Sequence, residues 1–480
     1  MRLFLAVLFF ISHITISTSA QGYRPVVLPY PKLVKFDPRL IVKTGFLVVP
    51  ENRAKPAGKT VKIPFIYARK PDQDSSKNIS LFTTGGPGYS TTANIDSIAY
   101  DSGYLKFGGF IAFDQRGTKR AIPCLDCLEV GEAMKRSYRE GKNKDSLILK
   151  ATVACRKRLS DQGINLSAYN TMESATDIND LRLALHVDSL NLIGISYSGG
   201  LMLSVARQHP EAVRTLLLNS PLPAFVNFEE HALLNLNEAF DQVFDNCESD
   251  SLSRGKYANL RNRFHQYFSN ITGKNFSLRY LEKGTRDSIT IKYTKTELLN
   301  ALSDRLNSIQ VRSVPAVMLD MINGKHADYV KEVLDGYFRG DPAMSLGMRY
   351  SVYCTEQIAY ASQLLEKQQD RILPWLAGYP VNNVTHRICD CWEVRKEPQD
   401  AKTPVYSAVP ALISGGDIDP ACRPFYNRLI QRYMPNSQLL IIHNRGHLPG
   451  FTVDGTDYTK MFLENPYRRI IAKSGALIVE

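Results

Sequence analysis

The stretch LNLIGISYSGGLMLSVARQHP, residues 190–210, constrains this chain more than any other. Residues 190–195 are an apolar run of strand length, and LMLSVARQHP reads as a helix. Only Ser196-Tyr197-Ser198-Gly199-Gly200 separates the two. A strand that turns into a helix so abruptly needs small residues two places before and after the turning residue, whose side chain is left exposed at the strand end. Gly194 and Ser198 flank Ser196; Ser196 and Gly200 flank Ser198. Each serine therefore has one glycine and one serine around it. Strand length favours Ser196, because the apolar run stops at Ile195; Ser198 is the rival.

The surrounding sequence repeats the strand–turn–helix theme. GFLVVP (45–50) and TVKIPFIYA (60–68) read as paired strands. ISLFTT (79–84) is a buried strand ending in GGPG, and GFIAFD (109–114) another ending in DQRG. Thr171 is a plausible N-cap for a helix running to about His186, with Ile178, Leu181 and Leu185 on one face. VRTLLLN (213–219) is a further strand. Strands alternating with helices imply an α/β architecture with a mostly parallel central sheet, whose ligands sit at the carboxyl ends of the strands. From 224 to 400 helical periodicity takes over (HALLNLNEAFDQVF, ELLNALSDRL, YVKEVLDGYF, QIAYASQLLEKQ), and this region reads as an inserted helical lid. VPALIS (409–414), FYNRLIQRYM and QLLIIH (438–443) return to the first pattern. The expected organisation is a core in two parts, 21–223 and 401–480, around a lid of 224–400.

Residues 1–20 have a different character. Met1-Arg2 precedes LFLAVLFFI and a small-residue end, Thr18-Ser19-Ala20. This is the pattern of a signal peptide cut after Ala20, and the apolar run is short for a span of ~20 residues. The reading is therefore a secreted or periplasmic protein without stable membrane insertion once the leader is gone. Export permits disulfides among the eight cysteines, but spacing does not choose among their pairings. His386, Cys389 and Cys391 could suggest a metal; one cluster without a second ligand pair is weak, and neither metal nor cofactor is expected. The net charge of +12 is spread along the chain and accompanies no nucleic-acid motif. Five Asn-x-Ser/Thr sequons occur, including Asn78 and Asn270.

An exposed serine at a strand end becomes a nucleophile when a histidine takes its proton and a carboxylate orients that histidine. On a sheet of this kind their chain order is serine, acid, histidine. SGGDIDP supplies Asp417 and Asp419 just after strand VPALIS, and the spacing Gly-x-x-Asp-Pro favours Asp419. NRGHLPG follows QLLIIH and places His447 on the loop that must reach back; His443 is the competitor within the strand. An oxyanion hole needs backbone N–H groups. Tyr197, after the serine, and Gly86, in TGGPG (84–88), are the candidates.

With these residues in place the chain resembles the proline iminopeptidase and tripeptidyl aminopeptidase branch of the α/β-hydrolases. The matching pieces are VPENRAKPAGKTVKIPF, GGPG, FDQRGTKR, CRKRLSDQGINLSAYNTMESATDINDLRLAL, GISYSGG, YCTEQ, CDCW, SGGDIDP and RGH, in the family's order. The first and fourth favour the larger, secreted tripeptidyl-type branch. The resemblance implies an α/β-hydrolase fold and an exopeptidase acting through an acyl-enzyme on short peptides with a free N-terminus. It implies Ser196, Asp419 and His447 as the triad, the segment Asp114–Gly117 as support near the site, and lid carboxylates as holders of the substrate amine, with Glu356 in YCTEQ as the candidate. It pairs Cys127 with Cys155 and Cys354 with Cys389. The chain departs from the family at Thr84, where histidine often precedes GGPG, at Ser198 for glycine, at Lys119-Arg120-Ala121 after DQRGT, and at Cys422, where threonine is common. These leave substrate preference open. An esterase on the same triad is the second reading, and an inactive hydrolase fold serving as a binding module the third.

Overall fold

The computed structural model describes residues 22–30, 34–286, 288–307 and 309–480; the leader read in residues 1–20 lies outside the described residues. Ten strands build one sheet: β1 (Val26–Pro29), β2 (Ile41–Pro50), β3 (Thr60–Arg69), β4 (Ile79–Thr83), β5 (Phe110–Phe113), β6 (Leu190–Ile195), β7 (Val213–Asn219), β8 (Ala411–Gly416), β9 (Ser437–Ile442) and β10 (Leu477–Val479). Their order across the sheet is β1-β2-β3-β5-β4-β6-β7-β8-β9-β10. The six strands from β5 to β9 pair in parallel, and the flanking strands at both edges pair antiparallel. Strands β4, β6, β7 and β8 are near-continuous apolar runs because helices cover both faces of the parallel part. Register brings Thr83 beside Gly194, Ile195 beside Asn219 and Gly416 beside Ile442, so the carboxyl ends of five strands form one rim.

Helices α1 (Leu128–Glu140) and α2 (Lys144–Asp161) are joined by the disulfide Cys127–Cys155. Helix α3 (Thr171–Ala184) is capped by Asn170, whose side chain accepts the Glu173 N–H at 2.9 Å, rather than by Thr171. The Thr171 hydroxyl instead meets the Tyr197 hydroxyl at 2.7 Å, so it serves the rim and not the helix end. Helix α4 (Tyr197–Gln208) leaves β6 directly.

The chain leaves the sheet after β7 and returns at β8. Between them lie α5 (Ala232–Ser249), α6 (Lys295–Ser303), α7 (Leu346–Glu356) and α8 (His386–Trp392), among other helices, and the disulfide Cys354–Cys389 ties α7 to α8. The lid is not all helical. Phe276–Leu281 and Ser288–Tyr293 form an antiparallel hairpin whose residues alternate between exposed and covered positions, a two-residue period set by one solvated face. The lid has its own apolar core, in which Phe264 meets Phe240 at a tilt and Trp375 edge-to-face, with ring centroids 5.6 and 5.3 Å apart.

The sheet's helices are held in register by buried charge. Arg116, with a fully buried side chain, donates from Nε and Nη2 to both oxygens of Asp177 on α3, each at 2.7 Å. Its Nη1 donates to the carbonyls of Glu51 and Ala168 at 2.8 and 2.7 Å. Arg53, from the β2–β3 turn, binds the same Asp177, Asp180 at 2.6 Å, and Glu173. Burial alone would raise the Asp177 pKa, but the two guanidinium groups outweigh it and hold the carboxyl below its ordinary value. The neighbouring residues of the same turn act likewise: Asp114 accepts from the Ser90 hydroxyl and from the Thr92 N–H and hydroxyl, and Gln115 donates to the Thr84 carbonyl. Segment 114–116 thus fixes the loop after β4 on one side and α3 on the other. Removing one member of a buried ionic cluster costs about 3–5 kcal/mol; loss of Arg116 would leave Asp177 with Arg53 alone and the buried Glu51 and Ala168 carbonyls without this donor. Arg116→Met is expected to lose stability of that order in urea unfolding at neutral pH; a loss under about 1 kcal/mol would show that the network adds nothing beyond a surface pair.

Candidate active site

Ser196 ends β6 with φ 54° and ψ −124°, a backbone region that L-residues avoid. The turn is held from several sides. The Ser196 N–H donates to Asn219 on β7, and its carbonyl accepts from Gly199 and Leu222. A Cβ on Gly194 would lie 2.6 Å from the Ser198 carbonyl oxygen, so no larger residue fits there. Ser198, the rival serine, is fully buried; its hydroxyl accepts the Ile195 N–H at 2.8 Å and donates back to the Thr83 or Ile195 carbonyl. It acts as an internal brace for the turn, and this is how a serine occupies the place where glycine is usual.

The two acid and two histidine candidates sort into separate pairs. His447 Nδ1 lies 2.8 Å from Asp419 Oδ2, and Asp419 is completely buried. His443 Nδ1 lies 2.6 Å from Asp417 Oδ2, with the His443 side chain 54% exposed. Asp419 also accepts the N–H groups of Ala421 and Cys422 on Oδ1, and Ser220 lies near enough to favour its charged form. Burial pushes the Asp419 pKa up, but the His447 charge and these donors overcome it, and the carboxyl stays below its ordinary value. Burial in turn pushes His447 down, and the Asp419 carboxylate more than reverses this, leaving the imidazole above its ordinary value. Such a histidine can receive a proton from a serine hydroxyl on its Nε2 side while Nδ1–H stays on the carboxylate.

The loop after β4 packs on the turn. A Cβ on Gly85 would sit 2.6 Å from the Ile195 carbonyl oxygen, 3.1 Å from Ser196 Cβ and 3.4 Å from the Tyr197 nitrogen. The next amide in the chain is that of Gly86, at φ 117°. Tyr197 N–H is the first of α4 and has no carbonyl a turn back within the helix to bond. Two N–H groups of the type an oxyanion needs are therefore carried by segments in contact beside Ser196.

Glu356 closes a cavity beside α4, lined also by Pro87, Tyr197, Gly200, Leu222 and Tyr353. It is 2% exposed, and its Oε2 takes no hydrogen bond from the described residues. Glu397, absent from the sequence reading, lies close enough to act on it electrostatically, and its Oε2 is buried and unpartnered in the same way. Burial raises both carboxyl pKa values, and for Glu356 the Glu397 charge adds to it. The nearby Lys402 donates to the carbonyls of Val226 and Glu356, and Arg207 to those of Asp400 and Thr403. Glu397 stands in EVRKEPQ, which has no motif to mark it; only the fold brings it to Glu356. Cys422 is the second residue that sequence reading left without a role. Its thiol is buried near the Ser196 side chain, and burial raises its pKa well above the ordinary thiol value. Asp419, Cys422 and His447 present possible ligand atoms within 4.8 Å of one another, two of which the Asp419–His447 bond already uses. Cys389, considered with His386 and Cys391 as a metal possibility, is bonded to Cys354.

Comparison with known proteins supports the fold. The family described as alpha/beta hydrolase fold matches residues 109–452. A tripeptidyl aminopeptidase of Streptomyces coelicolor is 27% identical over 191 residues, 37% of this chain and 35% of that protein. One from Streptomyces lividans is 26% identical over the same shares. The chain thus spans about a third of the length of the curated relatives it matches. Among solved structures, a 2-hydroxy-6-oxo-6-phenylhexa-2,4-dienoate hydrolase from a Rhodococcus strain superposes with TM-score 0.35 and 12% identity, covering 89% of this chain and all of that one. No helix among the described residues is long and apolar enough to cross a membrane, and two disulfides fit an oxidising compartment.

The opposed influences on the pair determine its response to pH. Stability held by the lowered Asp419 is present at neutral pH and lost as pH falls through its folded value. Stability held by the raised His447 is complete below about 6.5 and lost as pH rises through its folded value. In Asp419→Asn, burial acts on His447 unopposed. Its titration midpoint, followed by imidazole NMR, is expected to drop below about 6.5; a midpoint still above that value would refute the electrostatic account.

Proposed function

This chain belongs to the α/β-hydrolase family, and on that premise we propose that it is an exported serine exopeptidase removing residues from the free N-terminus of short peptides. Ser196 is the nucleophile, His447 the base and Asp419 its orienting acid. The Ser196 proton moves to His447 Nε2 as Oγ bonds the scissile carbonyl carbon. The N–H groups of Tyr197 and Gly86 receive the oxyanion, and His447 then protonates the leaving amine as the C–N bond breaks. Water, deprotonated by His447, opens the acyl-enzyme and releases the acid.

The observation that carries the exopeptidase reading is Glu356, with a buried unpartnered carboxylate oxygen at a cavity lined also by the residue after the nucleophile, and Glu397, likewise buried and unpartnered, close enough to act on it. Buried carboxylates without partners are costly, and a protonated α-amine is the group that would satisfy them. The Streptomyces relatives named as tripeptidyl aminopeptidases support a peptide substrate, and a tripeptidyl-type cut is the form we favour. The two disulfides and the expected leader support export.

A panel of chromogenic aminoacyl to tripeptidyl substrates, free and N-acetylated, tests the proposal. Free-amine substrates are expected to be cleaved and blocked ones spared. Glu356→Gln and Glu397→Gln should raise KM for free-amine substrates by roughly 10-fold or more, as loss of a charge-assisted hydrogen bond does. Because burial raises both carboxyl pKa values, that KM is expected to fall as pH rises from 6 towards 8. A fluorophosphonate should label Ser198→Ala but not Ser196→Ala. Preference for N-blocked substrates or short esters, with KM unmoved in both glutamine variants, would replace the exopeptidase with an esterase.

A further inference from the structure

The lid touches the catalytic rim at two places that a mere cover would not need. The first is the loop carrying Gly86. Arg349, on α7, donates from Nη1 to the Gly86 carbonyl at 2.7 Å. Its other donors are fixed by the lid itself, Nη2 by Asn382 at 2.8 Å and Nε by Asn383 at 2.9 Å, and its guanidinium lies 4.6 Å from the Tyr353 ring centroid. Beside it the loop and the lid exchange backbone hydrogen bonds: Ser345 N–H to Gly88 at 2.9 Å, and Ser90 N–H to Ala343 at 3.0 Å. A Cβ on Gly88 would lie 2.8 Å from the Ser345 carbonyl oxygen, so the two backbones are in direct contact.

The second contact is the loop carrying His447. The His447 N–H donates to the Leu306 carbonyl at 2.9 Å, in the turn after α6. A Cβ on Gly446 would lie 2.1 Å from that same oxygen. The turn is stiff: Asn307 Oδ1 accepts the N–H groups of Ile309 and Gln310, its Nδ2 donates to the Asp304 carbonyl, and Arg305 is held by the Ala301 carbonyl and Glu332. On the opposite side the Arg445 carbonyl accepts the Ile418 N–H at 3.0 Å, beside the acid loop. The histidine loop is therefore gripped between the lid and the Asp419 loop.

We infer that Arg349 and the Leu306 carbonyl are positioning groups: the docked lid holds the oxyanion loop through Gly86 and the histidine loop through His447, so that a displaced lid leaves the rim misassembled as well as uncovered. This rests on the assignment of Ser196, His447 and Gly86 made above. Neither residue lines the cavity beside α4, so their loss acts on kcat for any substrate, including one too small to reach Glu356.

The test uses p-nitrophenyl acetate, which has no amine, on the full-length protein. Arg349→Met is expected to lower kcat and the rate of fluorophosphonate labelling together by roughly 10–100-fold, the scale of a misplaced catalytic group, with KM within about 3-fold of the parent. Arg349→Lys, which keeps one charged donor, should recover part of the loss. Gly446→Ala probes the second strut independently and should give the same fall in kcat, since the position has no positive φ and the alanine meets the lid backbone. Circular dichroism and the thermal midpoint verify each fold; should Arg349→Met not fold, Arg349→Lys and Gly446→Ala decide. An unchanged kcat in a folded variant, or a change confined to KM, overturns the inference. Ser196→Ala is run alongside: persistent labelling there would overturn the nucleophile assignment instead.

Discussion

Everything at the rim depends on one strained backbone. Ser196 at φ 54° and ψ −124° costs on the order of 1–3 kcal/mol relative to a relaxed residue. A strained residue persists only when its neighbours leave it no alternative. Here the strand pairing to Asn219 fixes the way in, the Leu222 and Gly199 N–H groups hold its carbonyl, and the buried Ser198 hydroxyl ties the turn to Ile195 and Thr83. Glycine at 194 and 199 is the price of this closeness: a Cβ at 199 would meet the Pro221 Cβ at 2.5 Å. The turn is thus secured from β4, β6, β7 and the segment after β7 at once, and a side chain at its apex has little freedom to wander.

Much of this was legible in the chain because the signals are local. Strands β6 and β7 lie where their apolar runs place them, since a strand buried on both faces is mostly apolar, and their buried polar residues satisfy each other, Thr215 Oγ1 donating to Asn191 Oδ1 at 2.8 Å. The serine, acid and histidine stood at strand ends in an order that one kind of sheet allows. What escaped was non-local or weakly patterned. The lid hairpin Phe276–Leu281 and Ser288–Tyr293 alternates over only six residues a side, between helices with stronger periodicity. The N-cap moved from Thr171 to Asn170 because the threonine hydroxyl is engaged by Tyr197, a residue 26 positions away. Glu397, Arg349 and the Leu306 turn carry no motif, and their places come from packing alone.

Two clusters of buried charge show how differently the same chemistry can be used. Around Arg116 and Asp177 each donor meets an acceptor, and the cluster behaves as a rivet between the β2–β3 turn, the DQRG turn and α3. Around Glu356 and Glu397 one oxygen of each acid is buried without a partner, and their nearest cations are turned to backbone carbonyls. A satisfied cluster stabilises the free protein. An unsatisfied one is a standing electrostatic cost that a cationic group can relieve.

Strands β7 and β8 are neighbours in the sheet, yet about 190 residues of chain run between them. Serine-bearing β6 and the loop with Gly86 belong to the first half of the molecule, whereas Asp419 and His447 arrive on β8 and β9, near its end. During synthesis from the N-terminus the lid must therefore emerge, and either fold or loop out, before the acid and histidine can dock beside the serine. On the proposed assignment, the nascent protein carries Ser196 through about 250 further residues, by chain numbering, before His447 joins it. On that assignment, assembly order by itself keeps a partly made chain without its base and acid until β8 and β9 join the sheet.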